Sequence, residues 1–252
     1  MDAINRRRLG TAAAFFAAFT AAGLAVRWPG GGSAKRKADH PASGATVSPA
    51  KQAGAPELLQ IYRDSLRPGA DDAYRKVEED AARICAELGF PNPHLALESL
   101  SGPKEVWWLN SFPSEDVRKR VASDYASNRP LVDALEGIAK RKEGLVAEPV
   151  DQIWRYRPDL SGGAAWDLSG ARFVVATVGR DAAGTGAVFE IPDGSRVVLR
   201  KARSRAEAEA FAQAAGPGAR LFAIRPEWGM PAKAWVAADP EFWRANPAVR
   251  QE

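Results

Sequence analysis

Residues 94–112, HLALESLSGPKEVWWLNSF, alternate apolar and polar side chains on both sides of Ser101-Gly102-Pro103-Lys104. Alternation with period two around a short run of turn formers is the pattern of a β-hairpin. Upstream, Tyr74, Val77, Ala81, Ile84, Cys85 and Leu88 recur at helical spacing and Gly89 supplies a stop, which predicts a helix over 70–88. Downstream, Ser114 is followed by Glu115 and Asp116, a side-chain cap ahead of two carboxylates at the positive end of a helix. Val117, Val121 and Tyr125 give that helix an apolar stripe. Asn128-Arg129-Pro130 interrupts it, and Leu131, Leu135 and Ile138 mark a second segment. Leu58 to Leu66 and Val150 to Tyr156 read as flanking strands. The resulting order, β-α-β-β-α-β, is the ferredoxin-like α+β unit, in which helices cover one sheet face.

The second half follows Ser161-Gly162-Gly163. Arg172 to Val178, Ala187 to Ile191 and Arg196 to Leu199 are β-rich, with Pro192-Asp193-Gly194-Ser195 as a turn. Ser204-Arg205-Ala206-Glu207 is a capping box opening a helix that stops at Gly216-Pro217, and Leu221 to Arg225 is a last strand. This is the first unit's order with Asp181 to Gly186 in place of its first helix. It predicts a reduced, β-rich α+β half whose sheet closes on the first, making one barrel within one chain. The expected organisation is a signal peptide or membrane anchor over 1–26, a linker over 27–56, a ferredoxin-like domain over 57–160, the second half over 161–225 and a Trp/Pro-rich tail over 226–252.

The N-terminal segment joins a basic start, MDAINRRRLG, to an uncharged Ala/Phe-rich run from Thr11 to Val26. That is the build of a targeting segment, and the run is short of the ~20 residues of a membrane span. Asn5-Arg6-Arg7-Arg8-Leu9 resembles the twin-arginine export signature, with the arginine pair at Arg6 and Arg7. The expectation is export to the periplasm by twin-arginine or general machinery, or anchoring in the inner membrane.

The chain has 252 residues, 46% of them hydrophobic, enough for a real core. Its net charge of +4 does not indicate a nucleic-acid partner: 35 basic residues are interspersed with 31 acidic ones, without a basic stripe carrying aromatics. Cys85, the single cysteine, excludes an intrachain disulfide and a thiolate cluster and sits on an apolar helical position. No metal site is predicted.

Side-chain phase orders the sheet faces. Leu59, Ile61, Leu95, Leu97 and Ile153 are assigned to the face under the helices. The opposite parity then carries Gln60, Tyr62, His94, Glu98, Trp108, Asn110, Gln152, Trp154 and Tyr156. A face of aromatics with sparse polar groups suits either a small-molecule pocket or the interface with a second sheet. Tyr62, His94, Glu98, Trp108, Asn110 and Trp154 are the candidate ligand-binding residues. His94 and Glu98 are four residues apart on an extended strand rising ~3.3 Å per residue, too far to pair.

The β-α-β-β-α-β order, the Trp-rich strand running into Ser114-Glu115-Asp116 and the later Tyr125-Ala126-Ser127-Asn128 resemble the dimeric α/β-barrel superfamily, which includes antibiotic-biosynthesis monooxygenase and NIPSNAP-like families. The resemblance covers residues 57–157. It implies two ferredoxin-like units closing a barrel around a pocket, with a homodimer as one assembly. It also implies activity on an oxidisable small molecule or haem, with Asn110, Trp108 and His94 as candidates.

Three functions follow as expectations. The favoured one is a non-enzymatic binder of a small apolar or aromatic ligand, with no cofactor required. An oxygenase-like enzyme, with haem as its potential cofactor, requires His94, Trp108 and Asn110 to converge on one cavity. A structural or assembly partner at the membrane requires a filled inner face and an exposed apolar patch elsewhere.

Overall fold

The structure, a computed structural model, describes residues 56–147, 149–162, 166–179 and 185–250. The segment carrying Arg6 and Arg7 lies outside them. The first half runs β1 (Leu58–Ser65), α1 (Asp71–Leu88), β2 (His94–Ser99), β3 (Glu105–Phe112), α2 (Glu115–Ser127), α3 (Arg129–Lys142) and β4 (Val150–Tyr156). The second runs β5 (Phe173–Gly179), β6 (Ala187–Glu190), β7 (Arg196–Ala202), α4 (Arg205–Ala215) and β8 (Ala219–Ile224), followed by the short helices α5 (Lys233–Ala238) and α6 (Pro240–Trp243).

The local signals act as their chemistry requires. Ser114 Oγ accepts from Val117 N at 3.3 Å to start α2, and Asn128 Oδ1 accepts from Leu131 N at 3.3 Å to start α3. Pro130 sits in the first turn of α3, where no backbone donor is needed. Ser204 Oγ accepts from Glu207 N at 3.2 Å at the start of α4. Gly89 ends α1 in the left-handed conformation, φ 71°, that favours glycine.

The sheet closes. Its strand order is β1-β3-β2-β8-β5-β7-β6-β4, every pairing antiparallel. The first half contributes the order β4-β1-β3-β2 and the second β8-β5-β7-β6, the same four-strand permutation twice. β2 with β8 and β4 with β6 seal the two seams. The single-chain barrel expected from the reduced second half is the observed architecture, and its closure leaves no free sheet edge.

Directly opposed residues of an antiparallel pair share a face. Leu59 faces Trp154 across β1–β4, Leu95 faces Leu109 across β2–β3, and Leu97 faces Ile224 across the β2–β8 seam. These side chains, with Trp107, Val174, Phe189, Leu199 and Phe222, fill the barrel. Trp107 packs on Phe222 with centroids 4.5 Å apart and edge-on to Trp154 at 5.8 Å. Trp166 and Trp243, from the connecting segment and the tail, join the same cluster.

The face assignment made from phase is therefore inverted. Leu59, Ile61, Leu95 and Leu97 point into the barrel, and Tyr62, Ala96, Val106 and Trp108 lie under the helices. The physical reason is that the barrel interior offers polar partners chiefly to its indoles, Trp107 to Glu105, Trp154 to Gln152 and Trp166 to Ser111, so it takes the most continuously apolar parity. The helix layer supplies polar side chains and takes the mixed one. Ile153 does lie on the helix side, but opposite Gln60, so β4 is out of step with the assumed phase and Trp154 belongs to the barrel.

No helix of the described residues is long and apolar enough to cross a membrane. Leu100 and Val178 are the exposed large hydrophobic residues among those described, and they form no contiguous patch.

Candidate functional site

Between the outer face of β1, β2 and β3 and the helices α1 and α3 lies a cavity of about 30 Å³. Its sheet wall is Tyr62, His94, Trp108 and Asn110, all buried. The register explains why: Tyr62 and Ala96 both lie opposite Trp108, and Gln60 and His94 both lie opposite Asn110. The helix wall is Glu78, Ala81, Ala82 and Cys85 of α1 and Lys142 of α3, and the small side chains of Ala81, Ala82 and Cys85 leave the void. Phe90 and Trp228 complete it.

Four of the six candidates read from the sequence thus line one cavity. Glu98 does not. It shares the parity of His94 but sits at the other end of β2, paired with Lys104 at 2.8 Å and Arg225 at 3.4 Å. Trp154 lies inside the barrel, where its indole donates to Gln152 Oε1 at 3.0 Å.

Sequence reasoning missed Trp228, Glu78 and Lys142. Trp228 arrives from the tail, whose Met230 forms a two-bond bridge with His94: His94 N donates to Met230 O at 2.8 Å and Met230 N to His94 O at 3.0 Å. Gly229 makes that approach feasible, since a Cβ there would stand 2.7 Å from His94 O. Asn246 Nδ2, buried, donates to Gly229 O and Pro226 O and fixes the segment.

His94 is held between rings, with Phe90 at 4.8 Å and Trp108 at 5.8 Å between centroids. Its Nδ1 lies 3.2 Å from the Asn92 carbonyl. A carbonyl only accepts, so Nδ1 carries the proton and Nε2 is an acceptor. Burial without a nearby carboxylate holds the imidazole down to about 4, so it is neutral through the physiological range. Burial pushes the Cys85 thiol up to about 12, which leaves it inert.

Beside the cavity is a buried charge cluster. The Lys142 ammonium contacts Glu78 Oε1 and lies 3.6 Å from Asp64 Oδ2, with all three side chains at most 3% exposed. Tyr74 OH donates to Asp64 Oδ2 at 2.6 Å. The ammonium also lies over the rings of Tyr74 (5.3 Å) and Trp108 (5.6 Å). Burial first, then the neighbouring Glu78, push the Asp64 carboxyl up to about 6 against the pull of Lys142. Asp64 Oδ1 has no hydrogen-bond partner among the described residues, as suits the oxygen that carries a proton.

Apart from Glu78 Oε1, which is ion-paired with Lys142, three further buried atoms of the cavity-wall residues lack a hydrogen-bond partner among the described residues: Trp108 Nε1, Trp228 Nε1 and Asn110 Oδ1. Buried polar groups are paired in the great majority of cases, so three around one void call for an occupant. The void exceeds the 10–15 Å³ or so that one water needs and is far below the roughly 300–1,000 Å³ of pockets for drug-sized ligands. Haem does not fit it, and the barrel interior is filled by side chains. No group of three or more His, Cys, Asp or Glu among the described residues is placed to hold a metal ion.

Fold and site together define an α+β barrel of two ferredoxin-like sheets with a small, mostly apolar cavity carrying a few polar groups on its helix-covered side. Two solved structures are similar to it. One is a Fusobacterium nucleatum protein provisionally named a monooxygenase, 8% identical, covering 70% of this chain and 94% of that one with a TM-score of 0.40. The other, provisionally named a chlorite dismutase, is 13% identical and covers 72% of this chain and 98% of that one, also with a TM-score of 0.40. No protein family and no curated protein matches the sequence.

Proposed function

We propose that the chain is a non-enzymatic binder of a small molecule, seated in the cavity walled by Tyr62, His94, Trp108, Asn110 and Trp228. The observation that carries this reading is the set of three unpartnered buried polar atoms around one void. At about 30 Å³ the cavity is too small for the apolar or aromatic ligand expected from the sequence, so the guest is smaller, with polar groups for the unpartnered atoms of the wall. An enzymatic reading has less support. His94 is the one imidazole among the described residues and has no orienting carboxylate, Lys142 is engaged by two carboxyl groups, and neither His94 nor Cys85 titrates near neutrality. The test is native mass spectrometry of the full chain from a native-like source. A retained species is expected, with Trp108→Phe weakening its binding about tenfold through loss of one hydrogen bond. A clean apo mass, with no thermal stabilisation by any member of a small-polar-molecule library, sinks the reading.

We propose further that the chain is exported. The support is the basic start, the weakly hydrophobic run over 11–26 and the Arg6-Arg7 pair. A reporter fused after residue 56 is expected in the periplasm, and Arg6→Lys with Arg7→Lys is expected to strand it in the cytoplasm. Undiminished export of the double variant would remove the twin-arginine part of this proposal and leave a general route.

A further inference from the structure

The chemistry of the cavity wall narrows the guest, an inference that rests on the cavity being the binding site. Two groups of the wall donate without a partner among the described residues, the indole N–H of Trp108 and that of Trp228. Two accept. One is Asn110 Oδ1, which has no partner among the described residues, and the other is His94 Nε2, the ring nitrogen left to accept when Nδ1 donates to Asn92 O. The charged groups at the edge compensate one another, with the Lys142 ammonium held by Glu78 and Asp64. A guest anion would stand near the Glu78 carboxylate and a guest cation near the Lys142 ammonium, each adding an uncompensated charge to a buried site.

We infer that the cavity takes an uncharged primary amide group, whose carbonyl accepts from Trp108 and Trp228 and whose NH₂ donates to Asn110 and His94. A primary amide offers two acceptor sites and two donors on three heavy atoms, which matches the two donors and two acceptors of the wall. A hydroxyl leaves one wall acceptor unpaired, and a carboxylate leaves both. One water has the same valence and fits the void, so ordered water is the occupant that the amide displaces.

The experiment uses the full chain labelled with ¹⁵N at tryptophan, reading the indole Nε1–H signals. Those of Trp108 and Trp228 are assigned by Trp→Phe variants, or, where a variant does not fold, by their proximity to the His94 and Tyr74 rings. Formamide is titrated, with sodium formate and methylammonium chloride as anionic and cationic probes of matched size. Formamide is expected to shift both signals saturably and the ions to leave them unmoved. Asn110→Leu, which removes one acceptor, is expected to weaken formamide about tenfold. A saturable response to formate or methylammonium overturns the inference, as does a site that holds its water against all three probes. A charged species retained in native mass spectrometry would keep the site and reject the amide. An empty site by both measurements would reject the binding reading itself.

Discussion

Lys142→Ala is expected to destabilise the protein by about 3–5 kcal/mol, the cost of leaving buried carboxyl groups without their cation. Asp64 and Glu78 are at most 1% exposed and share this single ammonium. With it gone, both carboxyl groups are left without their cation, and the lost methylene stem adds a packing defect against Tyr74 and Trp108. The measurement is urea unfolding, where the midpoint falls while the slope stays unchanged. Two controls separate charge from volume. Lys142→Met with Asp64→Asn and Glu78→Gln removes the charges together and is expected to recover most of the loss, because a buried ion pair contributes little beyond a well-packed neutral replacement. Repeating Lys142→Ala at acid pH, where the carboxyls take up protons, is expected to shrink its penalty. A loss below about 1 kcal/mol at neutral pH would mean that the cluster is not buried as described.

Much of this arrangement has a trace in the sequence, and the exceptions have physical causes. Both units were legible because their helices carry local signals, a stripe with a glycine stop for α1 and the side-chain caps Ser114 and Ser204 for α2 and α4, and because the hairpin at 101–104 fixes its own register. Tyr62 and His94 could be grouped from parity, and Trp108 and Asn110 from the mixed character that their strand shares with that face. What parity cannot say is which layer covers a face. In an ordinary two-layer sheet the apolar face meets the helices, whereas a closed barrel has a second, drier interior that claims the same residues. Trp154 was misplaced because Ile153 was matched to Leu59 and Ile61 by chemistry, and register is a matter of pairing. Glu78 and Lys142 carried a signal that charge obscured. Tyr74, Glu78, Ala81 and Cys85 are spaced four, three and four apart, as are Leu131, Leu135, Ile138 and Lys142. Each charged residue thus occupies a stripe position that faces the sheet. Trp228 had no such signal, since its placement depends on a long-range bridge between Met230 and His94.

The two shifted groups of this layer make a second large prediction, in which opposing pH dependences mask each other. Asp64 is raised from 3.8 to about 6, so between these values the folded protein holds a proton that the unfolded chain has lost. Stability from this group is greatest below pH 4 and falls as pH rises to 6, by about 3 kcal/mol at about 1.4 kcal/mol per unit. His94 is lowered from 6.5 to about 4, so over nearly the same window the unfolded chain holds a proton that the folded protein excludes. Its contribution is complete above pH 6.5 and is lost as pH falls to 4, again by about 3 kcal/mol. In the wild type the two terms nearly cancel, and the profile between pH 4 and 6 reflects the exposed carboxylates. Asp64→Asn is expected to expose the histidine, giving a protein that weakens steeply on acidification from pH 6.5. His94→Gln is expected to expose the aspartate, giving one that weakens from pH 4 towards 6. Chemical denaturation of the wild type, both variants and their combination across this range gives the check, the double variant following the wild-type shape at lower overall stability. Parallel profiles for all four proteins would show that neither group is shielded from bulk water in the folded state, and the buried cavity would lose its physical basis.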